Sequence, residues 1–310
     1  MQPVWHIRRS QTMASNAASR PRVGFVGLGN MGRPMAARIA AAGFPLTVMD
    51  ADPAVTATVA EECGGSAQTD LSALAAHSDI LVTMLPTGAI VDKVVSAAAP
   101  MLPPGAVVID MSSSEPQGTV ALGRSLSARG IELLDAPVSG GVHRAADGTL
   151  AIIVGGAADT VAQVVGLLKT MGSTMHIGAL GSGHAMKALN NYVSAVGLTA
   201  ACEAVIVAER FGIEPQTAVD VLNQSTGRNV ATETKISQFV LSGSFAAGFG
   251  AALMAKDLRT ACALGRNLGV GAPLLETSAR IWTEGAEQLG RGADHTAIYR
   301  YIENLAQARG

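Results

Sequence analysis

A lysine stands among glycine and asparagine residues in the segment "GSGHAMKALNN", residues 181–191. At about 100° per residue, Gly183, Lys187 and Asn191 fall on one stripe of a helix, with Asn190 beside it. The residues around the stripe are mostly apolar, which predicts a helix buried in protein. Because burial lowers the pKa of a lysine toward the range useful for proton exchange, Lys187 is a candidate acid and base, with Asn191 as its partner. The alternative is that Lys187 extends to solvent at a domain edge, as most lysines do.

A glycine-rich loop provides a second chemical signal, in "VGFVGLGNMGRP". Gly27, Gly29 and Gly32 follow an apolar strand pattern and open an alanine-rich helix. In this context the first glycine permits a tight turn, the second lets the backbone approach a pyrophosphate, and the third allows close packing of helix on strand. The backbone N–H groups at the helix start then face the phosphates. We therefore predict a dinucleotide-binding loop over residues 27–32, which also includes Leu28, Asn30 and Met31.

An aspartate, Asp50, ends the next predicted strand. At this position a carboxylate accepts hydrogen bonds from the adenosine ribose, and a 2′-phosphate would meet negative charge. No cation stands at the strand tip, because Arg33 lies back at the start of the preceding helix. The pattern therefore favours NAD over NADP. An alternative for Asp50 is that it caps the helix beginning near Pro53.

Two further segments end predicted strands, "TMLPTG" and "DMSSS". Open α/β sheets bind their ligands at this edge, so Leu85, Pro86 and Ser113 are expected to border the nicotinamide side of the cofactor.

A third strand end, "DAPVSGG", places Ser139 before Gly140 and Gly141. A hydroxyl and unobstructed backbone N–H groups suit a small carboxylate. The alternative is an ordinary glycine turn.

The elements that carry these residues follow two different patterns. Short apolar runs alternate with helical patterns over residues 21–180, which predicts a parallel sheet covered by helices. After Gly183 the strand signal stops, and the chain runs without proline over about 182–211, enough for a helix of roughly 40 Å. Residues 181–310 are helical in pattern. We predict an α/β domain and an all-α domain joined by one long helix, preceded by a disordered tail over residues 1–20.

Composition narrows the class of protein. The 310 residues carry a net charge of −2, which gives no support for nucleic acid as a partner. Three widely spaced cysteines fit reduced thiols in the cytoplasm, and the six histidines show no metal-ligand spacing. Small residues and Glu203 interrupt the apolar run after Tyr192, so it predicts a buried helix rather than a membrane span. The basic tail is also compatible with an organellar targeting peptide, which we do not favour, and Met13 is an alternative start.

Together these motifs resemble the β-hydroxyacid dehydrogenase family, from about Val23 to the C-terminus. The resemblance rests on their order: "GFVGLGNMG", "MLP", "DMSSSEP", "DAPVSGG", "GSGHAMKALNN" and "AKDL". It implies a Rossmann-type N-terminal domain, an all-helical C-terminal domain, an active-site cleft between them, and a homodimer or homotetramer. The implied reaction is hydride transfer between NAD and a small 3-hydroxy acid such as 3-hydroxyisobutyrate.

The resemblance also assigns roles to residues. It makes Lys187 the catalytic lysine, Asn191 its partner, and the Ser139 loop the site of the substrate carboxylate. It makes Lys256, otherwise a surface helix lysine, a residue that reaches the cofactor, and Phe249 an aromatic near the cleft. Two positions depart from the family pattern. Ile90 stands where many members have asparagine, and Arg144, beside His143, lies in a variable segment of the substrate loop.

Competing functions remain at this point. The substrate could be a semialdehyde such as tartronate semialdehyde, with His143 and Arg144 recognising a second polar group or facing solvent. Imine reductases share the architecture but usually lack a lysine at position 187. A phosphogluconate-type decarboxylating enzyme would need a longer C-terminal domain. The last alternative is a catalytically weak nucleotide-binding interaction module, and Lys187 argues against it.

Overall fold

The computed structural model describes residues 20–307, so the predicted tail lies almost entirely outside it. Within that range the N-terminal domain contains nine strands in one sheet. The strands are β1 (Val23–Val26), β2 (Leu46–Met49), β3 (Ser66–Ala67), β4 (Ile80–Thr83), β5 (Val107–Asp110), β6 (Glu132–Asp135), β7 (Val138–Ser139), β8 (Leu150–Gly155) and β9 (Gly172–Gly178).

The sheet has the order β3-β2-β1-β4-β5-β6-β8-β7, with β9 paired to β8. Strands β1 to β6 are parallel, as the alternation of strands and helices predicted. The sheet is parallel over most of its width and mixed at one end, where β8 runs antiparallel to both β6 and β7. The link between the paired strands β7 and β8 is residues 140–149, shorter than the dozen or so residues that a parallel crossover requires.

Helices cover both faces of this sheet, which explains why β1, β4 and β5 are buried along their whole length. They are α1 (Gly32–Ala41), α2 (Pro53–Cys63), α3 (Leu71–Ala76), α4 (Gly88–Ala98), α5 (Pro116–Ser127), α6 (Gly141–Asp147) and α7 (Ala158–Leu168).

A 30-residue helix, α8 (Ser182–Phe211), leaves the sheet and forms the spine of the second domain. It ends at Gly212, which adopts the left-handed conformation with φ 98°. The helix is long and apolar enough to span a membrane by length and composition, but it packs against β8 on one side and against helices of the second domain on the other. A long helix joining the two domains is therefore confirmed.

The second domain is helical. Its elements after α8 are α9 (Pro215–Gln224), a π-helix (Thr232–Leu241), α10 (Ala251–Asn267), α11 (Pro273–Leu289), a 3-10 turn (His295–Ala297) and α12 (Ile298–Gln307). Trp282 of α11 is fully buried, and its Nε1 donates to Thr199 Oγ1 of α8 at 3.0 Å. Burial raises the pKa of the Cys202 thiol on α8 to about 12. The hydrophobic core of the second domain therefore includes residues of α8.

One expectation about α8 was only half right. Its surroundings predicted burial on nearly all sides, yet an apolar stripe of the helix is exposed. We call this the outer stripe; it consists of Met186, Leu189, Val193, Val207 and Phe211. The reason is geometric, since one chain covers only the faces of α8 that meet the sheet and the C-terminal helices.

Candidate active site

The glycine loop makes a turn that admits no side chains at two positions. Gly27 has φ 100°, and a Cβ there would overlap the carbonyl oxygen of Met84. A Cβ on Gly32 would overlap the carbonyl oxygen of Gly27, because the first residue of α1 contacts the turn directly. Gly29 differs, since a Cβ there would meet no protein atom within 4 Å. Protein packing accounts for the first and third glycines, while a ligand approaching the backbone accounts for the second, so the loop fits a pyrophosphate.

Asp50 ties the strand tip to the glycine loop. Its Oδ2 accepts a hydrogen bond from the backbone N–H of Leu28 at 2.7 Å, and its Oδ1 accepts from Asp52 N at 3.1 Å. The cap of α2 is Asp52, which accepts from Ala54 N at 2.8 Å, so the helix-cap alternative for Asp50 is wrong. Its contact with a ribose stays a prediction.

The neighbouring strand ends lie where the sheet order reverses, between β1 and β4. Leu85 follows β4, and its N–H donates to Ser112 Oγ at 2.9 Å. Pro86 is exposed beside it, and Ile90 is exposed in the first turn of α4. The predicted nicotinamide-side residues therefore border the crevice in which such sheets bind ligands.

The predicted carboxylate loop stands next to the glycine loop. Ser139 ends β7, and Gly140 and Gly141 follow with φ 134° and 71°, which favour glycine. Helix α6 packs on α1, so that Val142 and Asn30 line one surface cavity.

Two polar residues follow the carboxylate loop. The side chain of Arg144 folds over Gly140 but is exposed. His143 is 91% exposed and lies 3.2 Å from the carboxylate of Asp147. Of the two, only Arg144 borders the loop.

The start of α8 is fixed to the sheet by Asp135, at the end of β6. Its buried carboxylate accepts from the backbone N–H groups of Gly181 and His184, both at 2.7 Å. A Cβ on Gly183 would meet the carbonyl oxygen of Ile153 at 2.5 Å. Gly183 therefore lets α8 approach β8 closely. Sequence reasoning missed the anchoring role of Asp135, although "DAPVSGG" contains it.

Lys187 lies one turn beyond this anchor and is half-buried. Burial is the main cause that lowers its pKa below the ordinary 10.5; the positive charge of Lys256 adds to this, and the negative charge of Asp257 opposes it. No residue in the described range hydrogen-bonds its ammonium group. The amine is thus available for proton exchange.

Asp257 of α10 connects the two domains. It is 2% exposed, and its Oδ2 accepts from Asn191 Nδ2 at 2.5 Å. Its Oδ1 accepts from Ser113 Oγ, at the end of β5, at 2.8 Å. Lys256 Nζ lies 3.1 Å from the same Oδ1 and donates to the carbonyl oxygen of Ser113 at 2.5 Å. Asp257, which was not predicted from the sequence, therefore connects three residues that were: Asn191, Ser113 and Lys256.

Comparison with known proteins agrees with this arrangement. A family model described as the NAD binding domain of 6-phosphogluconate dehydrogenase matches residues 22–181. A second, described as NAD-binding of NADP-dependent 3-hydroxyisobutyrate dehydrogenase, matches residues 181–302. The chain belongs to the 3-hydroxyisobutyrate dehydrogenase-like family. Its Rossmann-type domain with a helical C-terminal domain is the fold of this family.

Individual relatives of this dehydrogenase cover nearly all of it. A 2-(hydroxymethyl)glutarate dehydrogenase from Eubacterium barkeri is 34% identical over 289 residues, 92% of this chain and 95% of that one. A probable 3-hydroxyisobutyrate dehydrogenase from Mycobacterium tuberculosis is 36% identical over 284 residues, 89% and 94% of the two chains. The solved structure of a Mycobacterium tuberculosis 3-hydroxyisobutyrate dehydrogenase with L-serine has a TM-score of 0.85, with 32% identity and coverage of 91% and 99%.

In this dehydrogenase the predicted residues form two groups, one on each domain. The glycine loop, Asp50 and the carboxylate loop lie on the Rossmann domain. Lys187, Asn191 and Lys256 come from the helical domain, and Ser113 joins the groups through Asp257. The missed Asp257 had a signal in the sequence, because the apolar spacing of Met254, Leu258 and Ala261 puts an acid at 257 on the buried face of α10.

Proposed function

We propose that this NAD(P)-binding oxidoreductase oxidises the CH–OH group of a small 3-hydroxy acid of the 3-hydroxyisobutyrate type, with Lys187 as general base and, in reverse, as general acid. The observation that carries the proposal is the half-buried Lys187 amine with no hydrogen-bond partner in residues 20–307, beside the Asn191–Asp257–Ser113 bridge. The names of relatives that match more than nine-tenths of the chain agree with a hydroxy acid as substrate.

The chain's own residues supply positioning and proton transfer. The glycine loop would hold a nicotinamide cofactor, which would supply the acceptor of the hydride. Ser139 and the N–H groups of Gly140 and Gly141 bind the substrate carboxylate and orient the carbon that reacts. Lys187 Nζ takes the hydroxyl proton, and the lowered pKa of Lys187 makes a neutral amine accessible. Asp257 holds the amide of Asn191 so that it can bond the substrate oxygen.

The cofactor is proposed to be NAD rather than NADP. Asp50 offers a carboxylate at the strand tip, and Arg33 is engaged by Glu62 in an ion pair. Both features disfavour a 2′-phosphate. Titration of the protein with NADH and NADPH, followed by nucleotide fluorescence, tests this, and tighter binding of NADPH would contradict it.

Lys187→Met tests the catalytic role. We expect turnover, followed by absorbance at 340 nm, to fall by about 10²–10⁴-fold because the proton acceptor is lost. NADH binding should persist, since the glycine loop is untouched. Lys93→Met, on the exposed face of α4, is the matched control and should match the wild type. Near-normal turnover in Lys187→Met would remove Lys187 from the mechanism.

A homodimer or homotetramer is part of the proposal. The outer stripe lies on the side of α8 opposite Lys187, so a second copy can cover it without closing the cleft. A cytoplasmic location, expected from the three free cysteines, also remains our proposal.

A further inference from the structure

A second half-buried lysine lies on the π-helix, outside the residues described so far. The Nζ of Lys235 donates to the hydroxyl of Ser194 on α8 at 3.3 Å, and within residues 20–307 it forms no ion pair. Burial lowers the pKa of Lys235, while the negative charge of Asp294 opposes that effect. An ammonium group so placed, with only a neutral hydroxyl as partner, is costly to keep for packing alone.

The position of Ser194 connects this lysine to the cleft. At about 100° per residue, Ser194 falls on the same stripe of α8 as Lys187 and Asn191. It lies two turns beyond Lys187, roughly 10 Å along the helix axis. Lys235 therefore stands at the far end of the helix face that carries the proposed base.

The carboxylate whose charge acts on Lys235, Asp294, already accepts hydrogen bonds from other groups. Asp294 Oδ2 accepts from the backbone N–H groups of Gly248 and Phe249 at 2.7 and 3.1 Å. Its Oδ1 accepts from Thr296 Oγ1 at 2.6 Å. Burial alone would raise the pKa of Asp294, but hydrogen bonds from His295 and Thr296 hold it well below its ordinary range. Asp294 thus fixes the loop that carries Phe249, and no carboxylate of residues 20–307 contacts the lysine.

We propose that Lys235 binds a second carboxylate of the substrate, which makes the substrate class a 3-hydroxy acid with a further carboxylate on its side chain. This inference rests on the proposed function. One carboxylate lies at the Ser139 loop, the reacting hydroxyl lies at Lys187, and the remote carboxylate lies at Lys235. The alternative cation, Arg144, is exposed beside the Ser139 loop and therefore does not mark the far end of the cleft. The Eubacterium barkeri relative is named for a glutarate, which is a dicarboxylate.

The test compares a dicarboxylate with a monocarboxylate in three proteins. The wild type, Lys235→Met and Lys169→Met are assayed with 2-(hydroxymethyl)glutarate and with 3-hydroxyisobutyrate. Methionine keeps the length of the side chain and removes its charge, and Lys169 is an exposed lysine after α7. In Lys235→Met, the ratio of kcat/KM for the dicarboxylate over the monocarboxylate should fall by about tenfold or more, through KM. In Lys169→Met the ratio should stay that of the wild type. An unchanged ratio in Lys235→Met overturns the proposal.

Equilibrium binding separates this proposal from the proposed function. Glutarate and butyrate, which lack the reacting hydroxyl, are titrated calorimetrically into the NADH-bound protein. If Lys235 binds the second carboxylate, the wild type prefers glutarate and Lys235→Met loses that preference, even if neither hydroxy acid is turned over. If the wild type turns over 3-hydroxyisobutyrate but does not prefer glutarate, the proposed dehydrogenase function is supported and the proposed role of Lys235 is refuted. The melting temperature of each variant reports folding, and removal of a buried charge should not lower it.

Discussion

At the scale of single residues, the chemistry depends on how the surroundings set the charge of one amine. Burial lowers the pKa of Lys187, and Asp257 opposes that effect while also holding Asn191 and Ser113. The same carboxylate therefore affects the charge of the proposed base and holds the neighbouring residues in place. Lys187 differs in this respect from Lys256, whose ammonium group is paired with Asp257 and donates to the carbonyl oxygen of Ser113.

Asp257→Asn is expected to move the pH profile of oxidation toward lower pH. The negative charge of Asp257 raises the pKa of Lys187, so its removal lowers that pKa further and exposes the neutral amine at lower pH. The acidic limb of kcat/KM against pH measures the shift. Asp92→Asn, on the exposed side of α4, should leave the limb in place. A limb that moves toward higher pH in Asp257→Asn would contradict the assigned electrostatics.

Lys187→Met is expected to raise the melting temperature while it removes activity. A lysine whose folded pKa lies below its unfolded value destabilises the fold when protonated, a penalty present below the folded pKa and relieved as pH rises toward 10.5. Methionine removes that penalty at pH 7. Thermal unfolding of both proteins at pH 7 and at alkaline pH measures the difference, which should shrink as pH rises. A constant difference would indicate a packing effect instead.

At the scale of elements, α8 determines where the proposed base stands. Asp135 binds the first turn of α8 through two backbone N–H groups, and Gly183 lets the helix approach Ile153 of β8. These contacts fix both the direction of the helix and its rotation about its own axis. A small rotation would move Lys187 and Asn191 out of the cleft together, because they share one stripe.

Gly183→Ala is expected to cost about 1–3 kcal/mol of unfolding free energy, because the added methyl group overpacks the contact between α8 and β8. Turnover should fall with stability as the helix start is displaced. Gly166→Ala is the control, since this glycine of α7 has open space around it and should gain roughly 0.5–1 kcal/mol. Urea denaturation and kcat measure both effects. Equal stability in the two variants would mean that the helix start tolerates movement.

At the scale of the whole molecule, the two domains meet where Asp257 of α10 bonds Ser113, and α8 has two sides with different proposed roles. Its inner side carries the proposed catalytic stripe, and its outer stripe is apolar and exposed, with Val193 and Val207 each 67% exposed. Residues exposed to this degree do not stabilise a single chain, whereas a second copy would bury them.

Val193→Glu is therefore expected to shift the protein from an oligomer to a monomer without unfolding it, since the position is exposed in one chain. Light scattering coupled to size-exclusion chromatography measures the mass. Lys93→Glu changes the charge of an exposed helix face elsewhere and is the control. A wild-type protein that is monomeric at assay concentration would refute the proposed oligomer.

The sequence by itself determined the features that follow from local periodicity and spacing. It predicted the strands that end at the glycine loop, at Asp50, and at the "MLP", "DMSSS" and "DAPVSGG" segments. It also predicted the long helix over residues 182–211, the glycine loop, and the stripe of Lys187 and Asn191. It did not reveal β3, β7, β9 or the π-helix, because these segments are short, exposed or without a clear apolar repeat. A local sequence pattern carries information only about residues that are close together in the chain.

Tertiary structure alone decided the contacts between residues far apart in the chain. Folding brings Asp257 to Asn191 and to Ser113, and Lys235 to Ser194. It also made Asp52 rather than Asp50 the cap of α2 and turned β8 antiparallel to β6. Periodicity can place an acid such as Asp257 on a buried helix face. The residue that this acid bonds depends on how whole helices and strands pack together. The burial that lowers the pKa of Lys187 likewise exists only after the elements have packed.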